Sequence, residues 1–250
     1  MTEVLLAAEN IHKSFGAVTA AKDVNVSMPK GAVWSLIGSN GAGKTTFVNM
    51  VTGYIKPDQG RIMFGGQDIT SFSPREVTKA GIRRSFQIPQ LCGEMNVLEN
   101  MLISLSINGD TPPSFWAHAK KKQNVEQAMA VLEQFRIADH RNRLIGELSA
   151  GVRKLLDIAM AMTGNPKVMM LDEPTSGVAA EEKYPIMDLV IETLKAAKVT
   201  IIFVEHDMDI VTRYSERVLA FYNGQIIADD APDQLLADPE VKRYVTGTSS

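Results

Sequence analysis

The chain has 250 residues, a length for one large domain or a main domain carrying a lobe. Its 45% hydrophobic and 22% charged content supplies enough apolar surface for a core and excludes general disorder. A net charge of −3 excludes nucleic acid as a partner held by bulk electrostatics and leaves only a local basic patch as a route to one.

In chain order, residues 4–11 and 18–28 alternate loosely, carry β-branched positions and are predicted strands. Val33 to Ile37 is a short apolar run ending at Gly38, as a buried strand requires. A helix is predicted from Lys44 to about Val51, stopping near Gly53, and two short strands over 60–69 around Gly65-Gly66. Residues 88–146 read as mostly helical, punctuated by Pro89 and Pro112-Pro113. Within them Val125, Ala128, Met129, Leu132 and Phe135 mark one amphipathic helix. This region is expected to be an inserted helical lobe. Val168 to Leu171 and Thr200 to Val204 are buried strands, and Ile186, Leu189, Val190, Thr193, Leu194 and Ala197 form a helical face between them. Strand, helix, strand at this spacing is a crossover unit and predicts a parallel sheet. Pro185 is expected in the first turn of that helix, and Asn223-Gly224 turns a hairpin between Val218 and Ala228.

Several residues receive plain structural readings. The single cysteine, Cys92, excludes an internal disulfide, fits a reducing compartment and is expected to be small buried filler. Met160, Met162, Met169 and Met170 read as core. Lys120-Lys121-Lys122 reads as a solvated helix start, and His12, His118 and His140 as capping or surface residues. No apolar run approaches the roughly 20 residues needed to cross a bilayer. The first residues have no basic n-region, and Glu3 and Glu9 flank a short apolar stretch, so no signal peptide is expected. Membrane contact would then go through a partner.

Gly38-Ser39-Asn40-Gly41-Ala42-Gly43-Lys44-Thr45 fits G-x-x-x-x-G-K-[ST]. Glycines let the backbone curl so that several N–H groups point at one anion. The helix opening at Lys44 adds its positive dipole end. Lys44 would neutralise charge between β- and γ-phosphates, and Thr45 would offer its hydroxyl to Mg²⁺. At ordinary residue frequencies a chance match arises in roughly 1% of chains of this length, and the position between a predicted strand and helix makes accident rarer still. Val168-Met169-Met170-Leu171-Asp172-Glu173 is an apolar strand ending in two acids, as expected at the ligand edge of a parallel sheet. Asp172 would hold Mg²⁺ through water, and Glu173 would orient and deprotonate an attacking water. Val204-Glu205-His206-Asp207 is a second such strand end, from which His206 could reach a γ-phosphate. Gln87, in Arg84-Ser85-Phe86-Gln87, carries no meaning from its residues alone.

The phosphate loop, Gln87, Leu148-Ser149-Ala150-Gly151-Val152, Leu171-Asp172-Glu173-Pro174 and His206, in this order, resemble an ABC transporter ATPase subunit over almost the entire chain. The resemblance implies an α/β P-loop NTPase fold with a mainly parallel central sheet, an N-terminal antiparallel β subdomain and an inserted helical lobe. It implies a single ATPase domain over 1–250: a nucleotide-binding core of 1–87 and 151–228, a helical lobe with the signature over 88–150, and a tail over 229–250. ATP and Mg²⁺ are the implied cofactors. Phe15 would stack on adenine, and Ser39, Asn40, Gly41, Ala42, Gly43, Lys44, Thr45 and Thr46 would hold the nucleotide. Thr45, Gln87 and Asp172 would serve the metal, while Glu173, His206, Gln87 and Lys44 would serve hydrolysis. Ser149 and Gly151 would reach across a dimer to the partner's γ-phosphate.

Phe86-Gln87-Ile88-Pro89, Glu94 to Asn100, Glu205 to Met208 and the tail Asp238 to Lys242 are similar to the ATPases of branched-chain amino acid importers, a group that also serves urea, amide and aromatic-acid uptake. That similarity implies two membrane permease subunits, an extracytoplasmic solute-binding protein and a peripheral place on the cytoplasmic face of the inner or plasma membrane. The alternatives are a non-transport ABC-type ATPase acting on ribosomes or DNA, a weakly catalytic nucleotide-gated module, and a small-molecule kinase, which would leave the signature and Gln87 without a role.

The chain departs from the family pattern in two places. The signature usually reads Leu-Ser-Gly-Gly-Gln; here Ala150 and Val152 stand at its third and fifth positions. Ala179 stands where the loop after the catalytic acid usually carries Asp or Asn. An intact phosphate loop beside a degraded signature implies a heterodimer with one stronger and one weaker site.

Overall fold

In the computed structural model, which describes residues 3–108 and 122–246, the first two predicted strands form a long hairpin. These are β1 (Val4–Phe15) and β2 (Val18–Pro29). On its other edge β1 pairs antiparallel with β4 (Gln59–Phe64), which turns at Gly65-Gly66 into β5 (Gln67–Asp68). The order of this sheet is β2-β1-β4-β5.

The second sheet contains β3 (Val33–Gly38), β6 (Ile82–Ser85), β7 (Val168–Asp172), β8 (Thr200–Val204), β9 (Arg217–Tyr222) and β10 (Gln225–Asp230), in the order β10-β9-β3-β8-β7-β6. Its neighbours are parallel except β10, which folds back on β9. The turn between them is Asn223-Gly224, with φ of 47° and 76°, the left-handed pair that the dipeptide favours. The fold class read from the sequence is therefore the one observed.

Both faces of the parallel sheet are covered, which explains its unbroken apolar runs. Side chains alternate between two cores. Val33, Ile37, Met169, Leu171, Ile201, Phe203, Val218 and Ala220 face a helical layer. Trp34, Leu36, Val168, Met170, Ile202, Val204, Leu219 and Phe221 face α1 (Lys44–Val51) and the antiparallel sheet. The helical layer draws on α3 (Val97–Asn108), α4 (Lys122–Gln134), α5 (Ala150–Met162), α6 (Ala180–Ala196) and α7 (Met208–Tyr214). Between β6 and α5 the described elements are helical, with 3-10 turns at Ala138–His140 and Ile145–Glu147 and one isolated bridge from Asn96 to Leu144. Ala128 and Leu132 of α4, with Phe135 just beyond its end, are buried against α3 and α5 as their spacing predicts. The chain continues into α8 (Pro232–Ala237) and α9 (Pro239–Val241). Among the described residues no helix is long and apolar enough to cross a membrane. Pro112, Pro113, His118, Lys120 and Lys121 lie outside the described residues.

Some expectations change. Strand β6 and the preceding helix α2 (Pro74–Ala80) were not foreseen, although Ser73 and Glu76 form a capping box, Pro74 opens the helix and Gly81 closes it at φ 114°. Pro185 lies in the second turn of α6, because that helix already starts at Ala180 with Glu181 and Glu182 in its first turn. Cys92 is exposed: the Asn100 side chain holds its backbone N–H (2.8 Å) and carbonyl (3.2 Å), which pins the main chain and leaves the thiol outward.

Phe203 is fully buried on β8, in the helical-side core of the parallel sheet. Phe203→Ala is expected to cost about 3–5 kcal/mol, read as a lowered urea midpoint at unchanged slope.

Candidate active site

Parallel strands end on a common edge, and this sheet uses four such ends. Gly38 closes β3, Ser85 closes β6, Asp172 closes β7 and Val204 closes β8. The register pairs Asp172 with Val204 and Ser85 with Leu171, so the residues that follow emerge side by side. A cavity of about 400 Å³ opens there. Its walls include Asn40, Gly41, Ala42, Gly43, Lys44, Thr45 and Thr46 from one strand end, Gln87 from the second, Asp172 and Glu173 from the third, and His206 from the fourth. Phe15, Ser39, Ser149 and Gly151 are not among its walls.

The loop from Gly38 to Gly43 is built for close approach. Gly43 takes φ 110°, and a Cβ there would meet the Ala20 carbonyl at 2.6 Å. The β9–β10 turn braces it from behind: the Gly224 N–H donates to the Ala42 carbonyl (2.9 Å), and the Lys22 N–H donates to the Gly224 carbonyl (2.8 Å). The first helical bond of α1 runs from the Phe47 N–H to the Gly43 carbonyl (2.9 Å). The amides of Lys44, Thr45 and Thr46 therefore have no acceptor within the helix and suit an anion. Lys44 is buried, and its ammonium donates to the carbonyls of Gly38 (2.6 Å) and Ser39 (3.1 Å). Burial lowers its pKa, opposed by the nearby carboxylates of Glu173 and Asp172. The Thr45 hydroxyl and the Asp172 carboxylate are hard oxygen donors, the kind that suits Mg²⁺ completed by phosphate and water.

Glu173 sits just past β7 at φ 44°, a left-handed conformation uncommon for a residue with a side chain. Its N–H donates to the Val204 carbonyl (3.0 Å). Its carboxylate accepts from Gln87 Nε2 (2.5 Å) and lies 3.3 Å from His206 Nε2. Thus Gln87, without meaning in the sequence, touches the acid at the end of β7. Glu205 is buried behind this group and accepts from the Thr175 N–H (3.1 Å), the Thr175 hydroxyl (2.6 Å) and the His206 N–H (3.1 Å). It ties the two acidic strand ends together.

Other residues bear on the site in ways the sequence reading missed. Arg84, on β6, donates to Asp172 Oδ2 (2.5 Å) and Asn49 Oδ1 (2.6 Å), with its guanidinium 4.9 Å from the Phe86 ring. Strand β6 pairs beside β7, so the one unforeseen strand of the sheet brings this cation to Asp172. Ser149 accepts from the Val152 N–H (3.3 Å) and caps α5. Gly151 is buried, and a Cβ there would meet Ile186 Cδ1 at 2.6 Å. Phe15 is half exposed on the antiparallel sheet, with the Lys13 ammonium 5.5 Å above its ring.

The ABC transporter family model matches residues 21–176. The chain is 39% identical to the probable branched-chain amino acid transport ATP-binding protein LivG of Methanocaldococcus jannaschii, over 98% of both chains. It is 32% identical to the high-affinity branched-chain amino acid transport ATP-binding protein LivG of Escherichia coli K12, over 99% of both. Among solved structures it is similar to an ATP-binding cassette of an ABC transporter in its ADP conformation, with a TM-score of 0.87, 40% identity and coverage of 97% of this chain and 98% of that one. A nucleotide-free cassette from an ABC transporter superposes with a TM-score of 0.88 at 38% identity, over 99% of this chain and 100% of that one.

Arg84 and Asp172 are both largely buried, at 10% and 14% side-chain exposure. Arg84→Met removes one partner and is expected to lower the stability of the nucleotide-free protein by about 1–3 kcal/mol in urea unfolding. An unchanged midpoint would mean that solvent already serves Asp172.

Proposed function

The chain belongs to the ABC transporter family as an ATP-hydrolysing subunit, and on that premise we propose that it energises the import of branched-chain amino acids or related small polar solutes. The observation that supports this reading is the meeting of Lys44, Gln87, Asp172, Glu173 and His206 on one cavity of about 400 Å³, together with the names of its full-length relatives.

In this reading the amides of residues 41–46 and the Lys44 ammonium hold the triphosphate, and Phe15 receives the adenine. Glu173 accepts a proton from water as the water oxygen bonds to the γ-phosphorus and the bond to the β–γ bridging oxygen breaks, giving ADP and phosphate. Gln87 and His206, both within reach of the Glu173 carboxylate, orient that water and steady the γ-phosphate. Such prepositioning is what an in-line displacement needs most. Mg²⁺, held by Thr45, Asp172 and Gln87, would neutralise charge on the phosphate oxygens.

Two ATPase subunits close head to tail, each signature facing the other's nucleotide. The preference of the triphosphate for the closed state supplies the differential affinity without which no ligand shifts an equilibrium. Two permease subunits carry that closure into the membrane, and an extracytoplasmic binding protein delivers solute. The chain works peripherally on the cytoplasmic side. Ala150, Val152 and Ala179 favour a heterodimer in which this chain's signature serves the weaker site.

Lys44→Ala is expected to abolish ATP binding by calorimetry. Glu173→Gln should bind ATP, lower kcat by at least about 100-fold and trap the closed dimer; hydrolysis at the unaltered rate would remove Glu173 from its role. In the complex with its natural partner, Glu173→Gln and the same change in the partner's acid should cost unequally, and equal losses would defeat the asymmetry.

A further inference from the structure

Two buried charged side chains of α5 have no part in the scheme above. Lys154 is 1% exposed and Asp157 is 7% exposed. At i and i+3 they share one face of the helix that Ser149 caps. The Lys154 ammonium donates to the carbonyls of Phe86 (2.8 Å), Gln87 (3.3 Å) and Asp172 (3.1 Å). An ammonium has three protons, and here each has an acceptor. Asp157 Oδ2 accepts from the Ser85 hydroxyl (2.5 Å) and the Phe86 N–H (3.2 Å), and its Oδ1 accepts from the Gln90 N–H (3.2 Å). One helix face thereby holds the segment 85–90 through five bonds and reaches the end of β7 through a sixth.

The contact with β7 bears directly on Glu173. The Asp172 carbonyl and the Glu173 N–H belong to one planar peptide. Lys154 holds its oxygen, and the Val204 carbonyl holds its N–H at 3.0 Å. A peptide gripped at both ends fixes the backbone from which Glu173 turns left-handed at φ 44°. The same ammonium grips the carbonyl of Gln87, whose side chain donates to Glu173 at 2.5 Å. Burial lowers the Lys154 pKa and raises that of Asp157, so each charge is costly and these bonds offset the cost.

We propose that Lys154 is a positioning residue for hydrolysis: it fastens Gln87 and Glu173 to the signature helix, so that α5 and the water-activating pair move as one body. The proposal rests on the ATPase reading of the site. Lys154 is not among the walls of the cavity, whereas Gln87 and Glu173 are; its effect goes through the orientation of those two groups, where misplacement by about 1 Å can cost 100-fold in rate.

The test uses the chain assembled with its natural ATPase partner and permeases. Lys154→Met keeps length and apolar volume and removes the ammonium. It should leave KM for ATP within about twofold, lower kcat at least about tenfold, and speed hydrogen exchange at the Phe86 and Gln90 amides. Adding Gln87→Ala to Lys154→Met should cost less than about twofold more, because the two act as one unit. Lys154→Gln, which retains two N–H donors, should recover part of kcat. The proposal is overturned by a kcat within about threefold of the unaltered protein, by a rise in KM at constant kcat, or by losses from Lys154→Met and Gln87→Ala that multiply. Should Lys154→Met fail to fold, Lys154→Gln is read by the same limits; failure of both to fold makes Lys154 a stability element and also overturns the proposal. Absence of ATP hydrolysis in the unaltered complex would instead overturn the ATPase reading itself.

Discussion

The parallel ladder of β6, β7, β8 and β3 is the constraint from which the site follows. Antiparallel neighbours would send alternate strand ends to opposite edges. Parallel ones deliver Ser85, Asp172, Val204 and Gly38 to the same edge, in a register set by backbone bonds rather than side chains. The ladder can be parallel only because both faces are dry, one against helices and the other against α1 and the antiparallel sheet. The residues one or two beyond each strand end are therefore brought together, and Gln87, Glu173 and His206 come within bonding reach although they lie far apart in the chain.

What the ladder brings together is charged, and the protein answers each buried charge locally. Asp172 meets Arg84, Glu205 meets Thr175 and the His206 amide, Lys154 meets three carbonyls, and Lys44 turns back on the carbonyls of Gly38 and Ser39. In low dielectric a lone charge is expensive and a paired one nearly neutral. Lys154 and Lys44 both rest on neutral carbonyls, but only Lys44 lines the cavity, where an incoming polyanion would compete with those acceptors. The cation poised to leave its resting partners is the one in the phosphate loop; the remaining pairs hold the frame around it.

Legibility in the sequence followed the range of each signal. The phosphate loop was readable because its glycines, lysine and threonine act within eight residues. The β9–β10 hairpin was readable because Asn223-Gly224 takes a backbone pair that few dipeptides tolerate. Strand β6 was not, since its four residues, Ile82-Arg83-Arg84-Ser85, show no apolar run and owe their extension to pairing with β7. Arg84 was lost with it. Lys154 and Asp157 escaped for the opposite reason: polar residues on a helix ordinarily mark its wet face, and only the docking of residues 85–90 on α5 turns this pair inward. Pro185 was displaced by one turn because Glu181 and Glu182 can start a helix before any apolar periodicity appears.

The variant signature has a physical logic when each position is asked what its own chain needs. Ser149 caps α5, and replacing such a cap costs about 0.5–2 kcal/mol. A Cβ on Gly151 would sit 2.6 Å from Ile186 Cδ1, the flexible tip of a side chain that can turn aside at small cost. Ser149 is thus favoured by the fold of this subunit, whatever it does across a dimer, while the fold constrains Gly151 only mildly. Ala150 and Val152, the two departures, occupy positions where the fold makes no such demand: Ala150 is a strong helix former in the first turn, and Val152 lays its side chain against the apolar core. Ala179 does not follow this pattern: as the N-cap of α6 it makes no side-chain capping bond where Asp or Asn would, so the fold itself forgoes a cap there. Ala150 and Val152 thus suit this subunit's own helix and core, as relaxed demand on one composite site would permit. The proposed asymmetry therefore draws on Ala150 and Val152, and Ser149 does not count against it, because the helix needs that cap in any case.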